Sequence, residues 1–135
     1  MTTNNYALSS RSLAHLSGCK PDLVLVVNRA LEIVRVDFSV VDGVRTVAEQ
    51  EQNIKNGVSW TMDSRHLPGK DGLSFAADIY PYYNGSTDHS VWLYGKIAKA
   101  MFKAAIELNV DIEWGGFWKT PDMPHWQLSK QNYPK

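Results

Sequence analysis

The apolar residues Leu23, Val26, Val27, Ala30, Leu31 and Val34 recur at helical spacing behind Pro21, a residue that the first turn of a helix tolerates. The pattern predicts an amphipathic helix of about four turns. Phe38 to Val41 is short, partly β-branched and followed by Asp42-Gly43, which predicts a strand ending in a turn. Thr46 and Glu49 form a capping-box pattern and Gly57 supplies a stop after Asn56, so a second helix is expected over residues 46 to 56, with Arg45 at its entrance. Residues 58 to 74 lack periodicity and carry Pro68, Gly69 and Gly72, as an ordered loop holding His66 would. Phe75 to Tyr80 reads as a buried strand presenting Asp78 at its end. From Asp88, the expected N-cap, Val91, Tyr94, Ile97, Ala98, Met101, Phe102, Ala105 and Leu108 keep the helical period for about five turns. Asp111 to Trp114 and His125 to Leu128 read as two strands joined by a loop with Gly-Gly and proline. Helices and strands mix without a βαβ rhythm. The expectation is an α+β fold: a flexible N-terminus over residues 1 to 10, then a single compact domain over 11 to 135 with a small antiparallel sheet flanked by helices.

Composition narrows this picture by exclusion. With 135 residues, 44% of them hydrophobic, the chain fits one domain able to bury roughly two-thirds of its unfolded surface. Fourteen basic residues balance fourteen acidic ones, which leaves no electrostatic footprint for nucleic acid or an anionic membrane. Cys19 is the only cysteine, so an internal disulfide and a thiolate-rich zinc site are both excluded, and any metal must be held by nitrogen and oxygen. Met1 to Leu16 has neither a basic head nor an apolar run, and no stretch approaches the ~20 apolar residues of a membrane span. A monomer made in the cytoplasm without a signal peptide is expected.

Against this background three polar residues stand out. Asp78 interrupts the apolar run Phe75-Ala76-Ala77 and Ile79-Tyr80, where an unpaired carboxylate would cost several kcal/mol, so it calls for a cation, either a metal or an arginine. His125 lies among Pro124, Trp126 and Leu128. Strand alternation puts it on one face with Gln127, turned to a cleft, and Trp126 and Leu128 on the other. His66, an ordinary loop histidine if taken alone, completes a set of three ligands that can hold zinc with one position open to water. Asp122 precedes His125 by one short turn. It is a candidate general base, with the plainer alternative of a turn residue after Pro121. His15 and His89 read as surface or capping residues, Cys19 as buried, and Trp60, Trp92, Trp114, Trp118 and Trp126 as mostly core.

Ser64-x-His66 with Gly69, Ala76 and Asp78, together with Asp122-x-x-His125, resembles the zinc peptidases of the VanY and D-alanyl-D-alanine carboxypeptidase group. The chain is most similar to the phage endolysins of that group that cut the L-alanyl-D-glutamate bond of peptidoglycan. The likeness runs from about Ser10 to Leu128 and includes Ser12-Leu13, Pro21-Asp22-Leu23, Gly43-Val44-Arg45-Thr46 with Gln50 and Gln52, Trp114-Gly115-Gly116 with Trp118, and Asp122-Met123-Pro124-His125-Trp126. It implies a hedgehog/DD-peptidase-like fold with the zinc site in a cleft. It also implies one Zn2+ on His66, Asp78 and His125, Asp122 as catalytic acid/base, and Arg45 stabilising the oxyanion, with Arg45, Ser64 and Gln52 as substrate contacts and a peptidoglycan stem peptide as substrate. For Arg45 a structural ion pair is the plainer reading. Two departures stand against the pattern. Asp78 lies further beyond His66 than the family spacing, implying an insertion around Lys70 to Phe75, expected as a bulged loop that leaves the ligands in place. Phe117 stands where relatives often carry aspartate and is given no catalytic role. A D-alanyl-D-alanine carboxypeptidase or dipeptidase, or a non-catalytic wall-binding module, are the alternatives the residues leave open.

Overall fold

The computed structural model describes residues 4–59 and 63–135. Trp60 lies outside them. The chain forms α1 (Ser10–Ser17), α2 (Pro21–Ile33), β1 (Asp37–Asp42), α3 (Val47–Lys55), β2 (Ala76–Tyr83), β3 (Ser86–Thr87), α4 (Val91–Leu108), β4 (Ile112–Trp114), a single 3-10 turn (Gly115–Phe117) and β5 (His125–Leu128). The strands build one antiparallel sheet in the order β1-β2-β5-β4, with β3 paired to the far end of β2. The α+β expectation holds.

Local chemistry explains most boundaries. The Thr46 hydroxyl accepts from Glu49 N while the Glu49 carboxylate accepts from Thr46 N, so the capping box forms as expected. The other long helix begins differently from expectation. Ser90, not Asp88, is the N-cap of α4, because Asp88 turns its carboxylate onto the Ser90 N–H and hydroxyl and closes the turn before the helix. β2 is also longer than Phe75 to Tyr80, so Asp78 stands third from its start rather than at its end. The strand runs on through Pro81, which stands opposite Phe38 of β1; on its other edge β5 pairs only as far as Asp78 and β3 only from Tyr82, so the proline falls in the gap between them. Beyond it, Asn84 and Gly85, with φ of 51° and 83°, make the two-residue turn that starts β3.

Helices α2 and α4 pack together over one face of the sheet. Leu23, Val26, Val27, Leu93, Ile97 and Met101 are buried with Val40, Ala77, Ile79, Trp126 and Leu128 from the strands. Because side chains alternate along a strand, burying Ala77, Ile79, Trp126 and Leu128 against the helices turns Asp78, Tyr80, His125 and Gln127 to the opposite face. That alternation creates the site. At the start of the chain, the Asn4 amide donates to the carbonyls of Leu31 and Val34 at the end of α2.

The stretch before Asp78 folds as a tight loop. Gly69 N donates to Leu73 O, Leu73 N to the Asp71 carboxylate, and Ser74 bridges to both Cys19 and Pro68. His66 and Asp78 remain in contact across it, as expected of an insertion that leaves the ligands in place.

Candidate active site

On the open face of the sheet, His66 Nε2 lies 3.2 Å and His125 Nδ1 lies 3.4 Å from the same Asp78 oxygen. The ligand atoms of these three residues all fall within 4.8 Å of one another, a grouping that can hold a metal ion. β2 supplies Asp78, its antiparallel neighbour β5 places His125 directly opposite, and the loop before β2 supplies His66.

Each imidazole is set by a bond on its outer nitrogen. His66 Nδ1 meets Gly43 O at 2.8 Å, and His125 Nε2 meets Gln127 Oε1 at 2.7 Å. A carbonyl oxygen only accepts, so both outer nitrogens carry a proton, and the inner nitrogens, which donate to Asp78 when protonated, are the atoms free to turn a lone pair to a metal. Strand alternation had placed Gln127 beside His125. Its bond to the ring was the missed signal, together with the carbonyl of Gly43 at the turn after β1.

The charges agree with this arrangement. Burial alone would raise the Asp78 carboxyl, but hydrogen bonds from His125 and His66 hold it well below the usual carboxylate range. Burial lowers His66, and the hydrogen bond and charge of Asp78 outweigh it, leaving the imidazole above its usual 6.5.

Arg45 donates to Asp42 at 2.5 Å and to Gln50 at 2.7 Å, and its backbone N–H bonds His66 O. The structural ion pair is therefore present. Its geometry also fixes the guanidinium beside the centre, where its charge lowers both His66 and Asp122. Gln50 is fully buried and also donates to Ser59, so it acts as a brace. Neither Asp42 nor Gln50 was singled out as a functional residue from the sequence. Gln52 lies on the exposed side of α3 with its amide on Asn56, because two residues along a helix turn a side chain to nearly the opposite face. The Ser64 hydroxyl accepts from His66 N at 3.2 Å and so shapes the turn that presents His66.

Asp122 sits at the other side. Its N–H bonds Gly115 O and its carbonyl accepts from His125 N, tying it to the ligand strand. A Cβ on Gly115 would lie 2.4 Å from Asp122 O and 3.1 Å from His125 Cβ, so only glycine permits this approach. Partial burial and the charge of Asp78 push the Asp122 carboxyl up, against the pull of His125, His66 and Arg45. Trp118, half exposed, lays its ring 4.9 Å from that of His125 and walls the cleft. Trp114 and Trp126 stack in the core, as expected, whereas Trp92 and Trp118 are exposed at a helix start and beyond a 3-10 turn. Phe117 is exposed and stacks on Phe102. Cys19 is buried, its thiol pushed up to about 12 by burial and by Asp42 and Asp78. Among the described residues no helix is long and apolar enough to cross a membrane.

The chain is similar to known proteins over nearly its whole length. The L-Ala D-Glu endopeptidase ChiX of Serratia marcescens has a crystal structure that superposes with a TM-score of 0.87 at 37% identity, covering 98% of this chain and 96% of that one. The L-alanyl-D-glutamate peptidase of Escherichia phage T5 is 34% identical over 96% of this chain and 93% of its own length. That of Listeria phage A118 is 28% identical over 92% of this chain, which spans 43% of that longer protein. The family model described as phage L-alanyl-D-glutamate peptidase matches residues 4–132. With that match and these relatives, the chain belongs to the phage L-alanyl-D-glutamate peptidase family.

Proposed function

We propose that this chain is a zinc-dependent endolysin that hydrolyses the L-alanyl-D-glutamate bond of peptidoglycan stem peptides. The observation that carries the reading is the convergence of His66, Asp78 and His125 with Asp122 and Arg45 on either side. The donor set fits zinc: two imidazole nitrogens with fixed tautomers and one ionised carboxylate, three protein ligands rather than the four of a structural site. With the Ser64-x-His66 and Asp122-x-x-His125 spacings, this supports membership of the wider VanY and D-alanyl-D-alanine carboxypeptidase group.

Zinc bound there would supply a Lewis acid that brings the pKa of water from about 15.7 to near 7. The remaining steps fall to the chain. Asp122 takes a proton from the attacking water and passes it to the leaving amine, a task suited to a carboxyl raised above its ordinary value. Arg45, held by Asp42 and Gln50, faces the scissile carbonyl and stabilises the charge that develops on its oxygen. Ser64 orders the His66 turn and borders the substrate. Gln52, on the outer side of α3, is given no part. In this reading the protein is a monomer made in the host cytoplasm that reaches the wall on release.

Digesting purified peptidoglycan with the zinc-loaded protein and weighing the fragments tests the activity. New L-alanine C-termini and D-glutamate N-termini are expected. Released D-alanine would instead identify a carboxypeptidase, and intact wall a binding module.

The metal assignment has a pH signature. His66 is raised in the folded protein, so its contribution to metal-free stability is complete below the unfolded value of 6.5 and is lost as pH rises through the folded value. Zinc needs the same imidazole neutral. The zinc-induced rise in Tm over chelated protein is therefore expected to shrink as pH falls from about 8 to about 6. A rise independent of pH over that range would put the metal on other residues.

A further inference from the structure

The Asp122 side of the cleft carries an ordered imidazole to which the reaction above assigns no role. His89 is exposed, yet its ring is fixed from two directions: Nδ1 lies 2.7 Å from the Tyr94 hydroxyl, and the ring meets that of Tyr80 edge-on at 4.7 Å. Holding an exposed side chain in one orientation costs conformational entropy. The device that holds it is a buried phenol. Burial and the charges of Tyr80, Asp122 and Asp78 push Tyr94 up to about 12, so the hydroxyl keeps a proton that it can donate to Nδ1. In that tautomer Nε2 carries the ring proton and is left as an outward donor.

The placement of this donor follows from the strand edge. Tyr80 stands two residues beyond Asp78 on the same face of β2, about 7 Å along the strand. Ile79 N bonds Pro124 O, and Asp88 N bonds Pro81 O, so the Asp122 loop and the His89 segment follow one another along one edge of β2. Asp42 and Arg45 lie toward the opposite edge, with β1. Asp122 must hand its proton to the leaving nitrogen, so the leaving half of the substrate lies on the Asp122 and His89 side. That half begins with D-glutamate, a diacid. With its nitrogen acylated by L-alanine and one carboxyl extending the stem, its second carboxyl is free.

We propose that His89 Nε2–H donates to this free carboxylate, making His89, Tyr80 and Tyr94 a subsite that selects an acidic leaving group. The neighbouring Asp88 leaves the Nε2–H free, because its carboxylate is bonded to the Ser90 N–H and hydroxyl. The inference rests on the endopeptidase reading and adds a specificity to it.

Two stem peptides that differ only in carrying this group as carboxylate or as carboxamide provide the test. The wild type is expected to favour the carboxylate by roughly 10- to 100-fold in kcat/KM, the range for one charge-assisted hydrogen bond. His89→Ala is expected to lose that preference through a higher KM for the acidic peptide, with kcat and zinc content kept. His89→Gln, whose amide N–H falls near the position of Nε2, should recover part of it. No preference in the wild type, a preference that survives in His89→Ala, or a loss of kcat or zinc shared equally by both peptides would overturn the subsite. A wild type that cuts neither peptide would instead overturn the endopeptidase reading beneath it.

Discussion

Asp122→Ala is expected to bind zinc with unchanged stoichiometry and to lose roughly 10²- to 10⁴-fold in kcat, the range for removing a positioned acid–base group. The separation of the two effects follows from the fold. The Asp122 side chain is absent from the cluster of His66, Asp78 and His125 that can hold a metal. Its backbone makes the structural bonds, to Gly115 O and from His125 N, and alanine preserves both. The lost carboxyl is the one raised by burial and by Asp78, which makes it a better proton acceptor than an ordinary carboxylate. Asp122→Asn should fall as far as alanine, because an amide keeps the shape but cannot take the proton. Zinc content by metal analysis and turnover on a stem peptide measure the two halves separately. Near-normal turnover in either variant would mean another group moves the proton.

The candidate site was largely legible because its residues violate local rules. An aspartate inside Phe75-Ala76-Ala77 and Ile79-Tyr80 requires compensation, and strand alternation alone put His125 and Gln127 on one face. Helices α2 and α4 were legible from their apolar stripes, and α3 from its capping box. The partners that steady the site were harder to find. Gly43 O reaches His66 only because the chain turns after β1, and Gln50 braces Arg45 only because α3 rotates that position inward and Gln52 outward. Helix α1 was missed because its buried face is Ser12 and Leu16. A serine reads as polar until Val40 N is seen donating to its hydroxyl. The short β3 pairing went unmarked although Asn84-Gly85 is a strong hairpin signal. His89 was read as a surface or capping residue because its two aromatic partners approach from a strand and a helix on different sides.

The ligand set itself makes the last and most drastic expectation. His125→Ala should lose both zinc and activity, whereas Gln127→Ala should lose only affinity. Removing His125 takes away one of three ligands, and it also takes from Asp78 one of the two hydrogen bonds that hold its carboxyl low despite burial. A two-residue remnant, His66 and Asp78, offers zinc too few donors to compete with water. Gln127→Ala leaves every ligand atom in place and removes only the acceptor that holds the proton on His125 Nε2. The ring is then free to adopt the tautomer whose proton sits on Nδ1 and faces the metal position. Loss of such an outer partner typically weakens metal binding by about 10- to 100-fold, so excess zinc should restore activity to Gln127→Ala but not to His125→Ala. Competition for zinc against a chelator of known affinity reads both variants on one scale. If His125→Ala held zinc as tightly as the wild type, the cluster of His66, Asp78 and His125 would not be the metal site. If Gln127→Ala matched the wild type, the tautomer of His125 would be set by something other than Gln127.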